Sequence, residues 1–278
     1  MERPVLRVVL AIGKYLSLVL GSIAVLLPIS LIVLGSFKGK REFLKTGPFT
    51  PPEDWTNLEN FVTAFTRGKM FQAFGNTAII LVIAVAGAIL IGAASAYAID
   101  RFRFRGRGIV MGLFLLATLV PGVTTQVATF QIINALGLFN SLGAPIVLFM
   151  GTDIVSIYIF LQFIRSIPKE LDEAASLEGA GHLRIFFQII LPLLKPPIAT
   201  VVIVKGIAVY NEFYIPFLYM PARDLGVIST SLFRFMGPYG AQWQIISAGI
   251  LIVLLPTLIV FLFLQRYIYN GFAAGAVK

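Results

Sequence analysis

Long apolar runs separated by short, charged connections dominate this chain. Six of the runs approach the roughly 20 residues that a helix needs to cross a hydrocarbon core of about 30 Å. They predict spans at about residues 8–34, 74–99, 109–130, 144–164, 198–219 and 245–268. The first run is too long for the apolar region of a signal peptide and shows no small-residue cleavage site, so it reads as a span. Pro28, Pro121, Pro145, Pro216 and Pro256 fall inside spans or near their ends. Bundle neighbours can re-satisfy the backbone groups that such prolines free. The expected fold class is therefore all-α, a polytopic membrane protein with six transmembrane helices. It forms one domain over residues 1–278, without an internal repeat or a separate soluble domain.

Composition agrees with that pattern. A hydrophobic fraction of 58%, a charged fraction of 13% and a mean hydropathy of +0.90 exclude an ordinary soluble protein. A net charge of +9 taken alone suits nucleic acid or anionic lipid. Most of the basic residues lie in short loops beside apolar spans, which favours lipid and argues against a nucleic-acid partner. The chain has no cysteine, and its single histidine, His182, cannot build a histidine-rich metal site.

Orientation follows from the basic residues. Arg101, Arg103, Arg105 and Arg107 crowd the second-to-third connection, and Arg165, Lys169, Arg184 and Lys195 the fourth-to-fifth. The third-to-fourth connection is uncharged, and the fifth-to-sixth carries only Arg223 and Arg234 as bases. Both termini are thus expected on the cytoplasmic side. The long first external loop also carries Lys38, Lys40, Arg41, Lys45, Arg67 and Lys69, which Glu42, Glu53, Asp54 and Glu59 dilute.

One connection, residues 165–196, has more internal order than a loop requires. Ser166-Ile167-Pro168 predicts a short helix with proline in its first turn. Glu170, Asp172 and Glu173 then lie near its positive end. Ala174, Ala175 and Gly179 come close on one face that has little side-chain bulk, where another protein can approach the backbone. Gly179 and Gly181 end the helix. His182 to Leu191 follows as an amphipathic helix expected to lie in the membrane interface.

The full spacing is Glu173-Ala174-Ala175, three residues, Gly179, nine residues, Ile189, one residue, Leu191-Pro192. It resembles the cytoplasmic signature of the membrane subunits of ABC importers. The runs Tyr97 to Phe104, Ser166 to Leu171, Tyr210-Asn211-Glu212-Phe213 and Gly271 to Lys278 are similar to carbohydrate permeases of the maltose-importer type. That resemblance covers nearly the whole chain. It implies a type I importer permease in a prokaryotic cytoplasmic membrane, carrying a sugar, with oligosaccharide favoured. It also implies a heterodimer with a second permease, two ATP-binding subunits and an external solute-binding protein. ATP and Mg would be held by the partner ATPase, and no cofactor by this chain. Leu171, Glu173, Ala174, Ala175, Gly179 and Ala180 would couple to that ATPase. The cytoplasmic tail, residues 269–278, would reach it through Gly275, Val277 and Lys278. Asp100, Asp153 and Lys205 depart from the family pattern.

Asp153, Lys205 and Glu212 fall within predicted spans, where an isolated charge costs several kcal/mol. At about 1.5 Å per residue, Asp153 lies about 16 Å and Lys205 about 12 Å from the cytoplasmic ends, close enough to pair if spans four and five touch. Glu212 is expected two turns beyond Lys205 on nearly the same face, with Tyr210, Asn211 and Tyr214 nearby. These groups suit a solute path for sugars, while a purely structural Asp153–Lys205 pair is the competing expectation. A stand-alone carrier or channel coupled through Asp153 or Glu212 is the alternative function. No phosphate-binding sequence of the form G-x-x-x-x-G-K-[ST] occurs, so the chain is not expected to be an enzyme, and an ATP-driven machine built on it must borrow its nucleotide site.

Overall fold

A computed structural model describes residues 4–151, 153–237 and 240–276. In chain order the helices are α1 (Pro4–Phe37), α2 (Lys40–Lys45), α3 (Glu59–Arg67), α4 (Met70–Arg101), α5 (Arg107–Leu119), α6 (Gln126–Ala135), α7 (Gly143–Met150) and α8 (Ile154–Ile164). There follow α9 (Glu170–Leu177), α10 (His182–Ile185), α11 (Leu191–Leu193), α12 (Lys195–Asn211), α13 (Tyr214–Tyr219), α14 (Ile228–Ser231) and α15 (Trp243–Ala276). A π-helical turn, Phe186–Ile190, joins α10 to α11.

Among the described residues, three stretches are long and apolar enough to cross a bilayer: Leu10–Phe37, Met70–Arg101 and Trp243–Phe263. The count is five if each of two bent helix pairs is one span, α7 with α8 and His182–Leu193 with α12. Their surfaces suit lipid or protein neighbours, since Leu10, Tyr15, Leu20 and Val25 of α1 are all more than half exposed.

Three expected spans are interrupted, and local chemistry accounts for each break. Span three stops at Leu119 because Pro121 has no N–H for the Ala117 carbonyl, and helix resumes only at Gln126. Span four ends α7 at Gly151, whose ψ of 176° is extended, and α8 restarts after Asp153 with a bend of 42° between the two. Span five ends at Asn211, because Pro216 has no N–H for the Glu212 carbonyl, which accepts a hydrogen bond from Ser229 Oγ at 2.6 Å instead. Of the tail expected at 269–278, the described part continues α15 as helix through Ala276.

Two compact units divide the chain, residues 1–70 with 231–262 and residues 71–230 with 263–278. In the first, Ala64, Phe235, Ile245 and Ile246 form the core. Asn60 Nδ2 donates to the carbonyls of Ser36 at 2.9 Å and Lys38 at 2.8 Å, closing α3 over the end of α1.

In the second unit, α4 packs on α7 and α8 through small residues. Ala93, Ala96, Tyr97 and Ile99 meet Ile157, Phe160, Leu161 and Ile164 in one core, which Ile185, Phe186, Ile190, Leu194 and Val201 complete. A Cβ added at Gly92 would lie 3.3 Å from Phe160 Cδ2, and one at Gly87 would fall within the Met150 side chain. Close approach through small residues is how helices gain contact where lipid is as apolar as leucine. Gly92→Val is therefore expected to overpack this seam and cost about 1–3 kcal/mol. Thermal unfolding of the detergent-solubilised protein would check this, and an unchanged midpoint would contradict it.

Candidate coupling helix and polar centre

Helix α9 begins one residue after Lys169, with Glu170, Asp172 and Glu173 in its first turn. Pro168 precedes the helix rather than entering it. At the other end, Gly179 takes a left-handed φ of +83°. Its N–H donates to the Ser176 carbonyl at 3.0 Å, and the Ala180 N–H reaches back to the Ala175 carbonyl at 3.0 Å. This pair of bonds is the Schellman termination, which strongly favours glycine at that position. Gly179 therefore has a conformational reason to be glycine.

The small residues do not share one face. Ala175 and Ala180 pack against the core that holds Tyr97 and Phe186. Leu171, Glu173, Ala174 and Gly179 face outward, and so does Leu177, which is 91% exposed. Leu177 is not among the residues expected to couple. The signal was present, because it lies four positions after Glu173, one turn further along the outward face.

Arg101, the last residue of α4, holds α9 in place. Its Nε lies 2.5 Å from Asp172 Oδ2, its Nη1 donates to Asp100 Oδ2 at 2.8 Å, and its Nη2 donates to the Ile167 carbonyl at 2.9 Å. Arg101 is 7% exposed, so these contacts form in a poorly hydrated setting. Arg107 and Arg165 reach Asp100 at 3.8 Å and 3.9 Å from more exposed positions, and add little. Asp100, a departure from the family pattern, is thus a buried carboxylate that holds Arg101.

Beside this latch lies an open hollow of about 600 Å³, lined by Arg101, Phe102, Glu173, Leu177 and His182 among others. His182 stands edge-on to Phe102, with ring centroids 5.0 Å apart. The helix that starts at His182 does not simply lie on a surface, because Ile185, Phe186 and Ile190 are buried in the core. It turns through 75° into α12.

The intramembrane charges separate into two groups. Lys205 Nζ lies 3.2 Å from Asp153 Oδ2, and Ser156 Oγ donates to the same oxygen at 2.7 Å. The pair is 18% and 15% exposed, and it sits where α7 breaks to α8. Glu212 has partners of its own. It follows the last turn of α12, and its Oε1 accepts N–H bonds from Tyr214 at 2.9 Å and Ile215 at 3.3 Å, capping α13. Asn211 Nδ2 donates to the Ile207 carbonyl at 3.1 Å within its own helix. Asn211 and Tyr214 are exposed, while Tyr210 is half-buried and lines a small cavity with Thr77 and Phe149. Of the expected tail contacts, Gly275 lies in the last turn of α15, and Val277 and Lys278 fall outside the described residues. Among the described residues, no group of His, Cys, Asp or Glu could hold a metal ion.

Comparison with known proteins places these features in context. The family described as binding-protein-dependent transport system inner membrane component matches residues 88–273, which include α9, its latch and the Asp153–Lys205 pair. The chain is 30% identical over 255 residues to the arabinooligosaccharides transport system permease protein AraQ of Halalkalibacterium halodurans, covering 90% of each. It is 30% identical over 256 residues to the melibiose/raffinose/stachyose import permease protein MelC of Bacillus subtilis, covering 91% of each. In fold it is similar to a chain in the crystal structure of a bacterial ABC transporter involved in the import of the acidic polysaccharide alginate. That match has a TM-score of 0.79 at 20% identity, over 96% of this chain and 99% of the other.

Proposed function

The chain belongs to the binding-protein-dependent transport system inner membrane components, and from that membership we propose that it forms one half of the path of an oligosaccharide importer. Such a component is a membrane subunit and not an enzyme, since ATP is used by a separate subunit. The stand-alone carrier reading finds no support in this membership. The full assembly would be a heterodimer with a second permease, two ATP-binding subunits and a solute-binding protein. Six crossings of a prokaryotic cytoplasmic membrane, with both termini inside, fit the distribution of basic loops.

The presentation of α9 is the observation that carries this reading. Glu173, Ala174 and Leu177 face outward beside an open hollow, on a short helix fastened to the end of the long helix α4. A push on that face by a closing ATPase pair is transmitted into α4 through Arg101. ATP binding then biases the helices between inward-open and outward-open states. ATP and Mg stay with the partner. Solute contact by Tyr210, Asn211, Glu212 and Tyr214 is part of the proposal.

Glu173→Arg tests the reading. The wild-type chain is expected to retain its ATPase subunit through purification. The variant should bind that subunit at least about thirtyfold more weakly, the scale of losing one interface hot spot of about 2 kcal/mol. Uptake of labelled oligosaccharide should fall in parallel while membrane levels stay normal. A wild-type chain that purifies without any ATPase would overturn the proposal.

A further inference from the structure

Lys38 is 2% exposed, one of the largest fully buried side chains among the described residues. Its ammonium donates to Thr46 Oγ1 and to the Gly47 carbonyl, each at 2.9 Å. Both acceptors are neutral, and a lysine ammonium has three N–H donors, so one donor and most of the charge stay uncompensated. Glu42 is the nearest acid in sequence, and its carboxylate is taken by the N–H groups of Gly39 at 3.2 Å and Glu53 at 2.8 Å. Among the described residues, no carboxylate comes within ion-pair reach of Lys38. The C-terminal carbonyls of α1 offset at most about half a charge. Burial of a cation on those terms is unfavourable unless an anion completes the site.

The room for that anion is present. Lys38 lines a cavity of about 330 Å³ together with Leu31, Ile32, Phe43, Trp243 and Ser247. The apolar stretch of α1 ends at Phe37, so Lys38 stands at the level of the lipid headgroups whichever way the chain is oriented. Leu31 and Ile32 lie one to two turns deeper, at acyl-chain level. Trp243 is of the type that settles at that boundary, and Ser247 supplies a hydroxyl. Lys40, Arg41 and Lys45 are exposed on the adjacent turns and add a positive field.

We propose that this cavity is a binding site for an anionic phospholipid, with its phosphate on Lys38 and Ser247 and one acyl chain along Leu31 and Ile32. The bound lipid would neutralise Lys38 and tie the first loop to the end of α1. The site lies outside residues 88–273 and does not depend on the transport reading, only on α1 entering the membrane.

The test uses the full chain reconstituted in an equimolar bilayer of phosphatidylglycerol and phosphatidylcholine, then extracted and weighed by native mass spectrometry. One phosphatidylglycerol is expected to be retained in preference to phosphatidylcholine. Lys38→Gln should reduce that retention about tenfold, as loss of a charge-assisted hydrogen bond does. Ser247→Leu fills the cavity and leaves the Lys38 contacts to Thr46 and Gly47 in place, so it should do the same without lowering the melting point. If Lys38→Gln fails to fold, Ser247→Leu decides alone. Unchanged retention in the variants, or equal retention of both lipids, refutes the site. Displacement of the lipid by inorganic phosphate would mean an anion drawn from solution, and would refute it too.

Discussion

Arg101→Met is expected to abolish coupled uptake while leaving the permease in the membrane. The substitution keeps the bulk of the stem but removes the guanidinium that holds Asp100, Asp172 and the Ile167 carbonyl. Among the described residues, the Asp172 carboxylate oxygens accept no hydrogen bond, so the Arg101 charge is what compensates them. Removing one partner of a buried pair typically costs about 3–5 kcal/mol. Part of that cost can be relieved by α9 swinging outward to hydrate Asp172. The energetic loss then becomes a geometric one, with the coupling face presented at the wrong angle. The expected signature is uptake reduced at least about hundredfold, the scale of a loss of about 3 kcal/mol, with ATPase activity no longer stimulated by solute. Arg101→Met combined with Asp172→Leu should be milder in stability than Arg101→Met alone, because no orphaned carboxylate remains at α9, yet equally uncoupled. Recovery of uptake in that double variant would show that the latch has no mechanical role.

Asp153→Asn should be the second most damaging change. It leaves the Lys205 ammonium at the α7–α8 break with only a neutral partner, in a site where both side chains are less than one-fifth exposed. The expected cost is again about 3–5 kcal/mol, seen as loss of assembled protein, and Lys205→Met should cost a similar amount by orphaning Asp153. Asp153→Asn with Lys205→Met removes both charges and should recover most of the yield, since the coupling energy belongs to the pair. A double variant no milder than either single change would rule out the pair as a structural unit. If the double variant assembles normally but its uptake stays low, the pair touches the solute path. Normal uptake would confine it to orientation of the helices.

The two predictions rest on residues of different legibility. Asp153 and Lys205 stood out in sequence because charge is rare in apolar runs, and their similar depths made a pair plausible before any coordinates. Arg101 and Asp172 did not stand out as a pair, because charged residues are ordinary in the connections between apolar runs. The partners of Glu212 were hidden for a related reason. The seven-residue spacing from Lys205 says where Glu212 leaves the helix, but not that α12 ends at Asn211 and that its carboxylate accepts the N–H groups of Tyr214 and Ile215.

The sequence by itself determined the membrane class, the position of the short helix α9 with its glycine stop, and the family resemblance. Each of these is a local property, written in runs, spacings and residue types within a few turns. The tertiary structure alone decided which small residues of α9 face inward, that Arg101 fastens α9 to α4, that Lys205 meets Asp153 across a broken helix, and that Lys38 is buried. Burial and charge pairing depend on which distant segments approach one another. That approach is set by packing between segments far apart in sequence, so no window along the chain contains it.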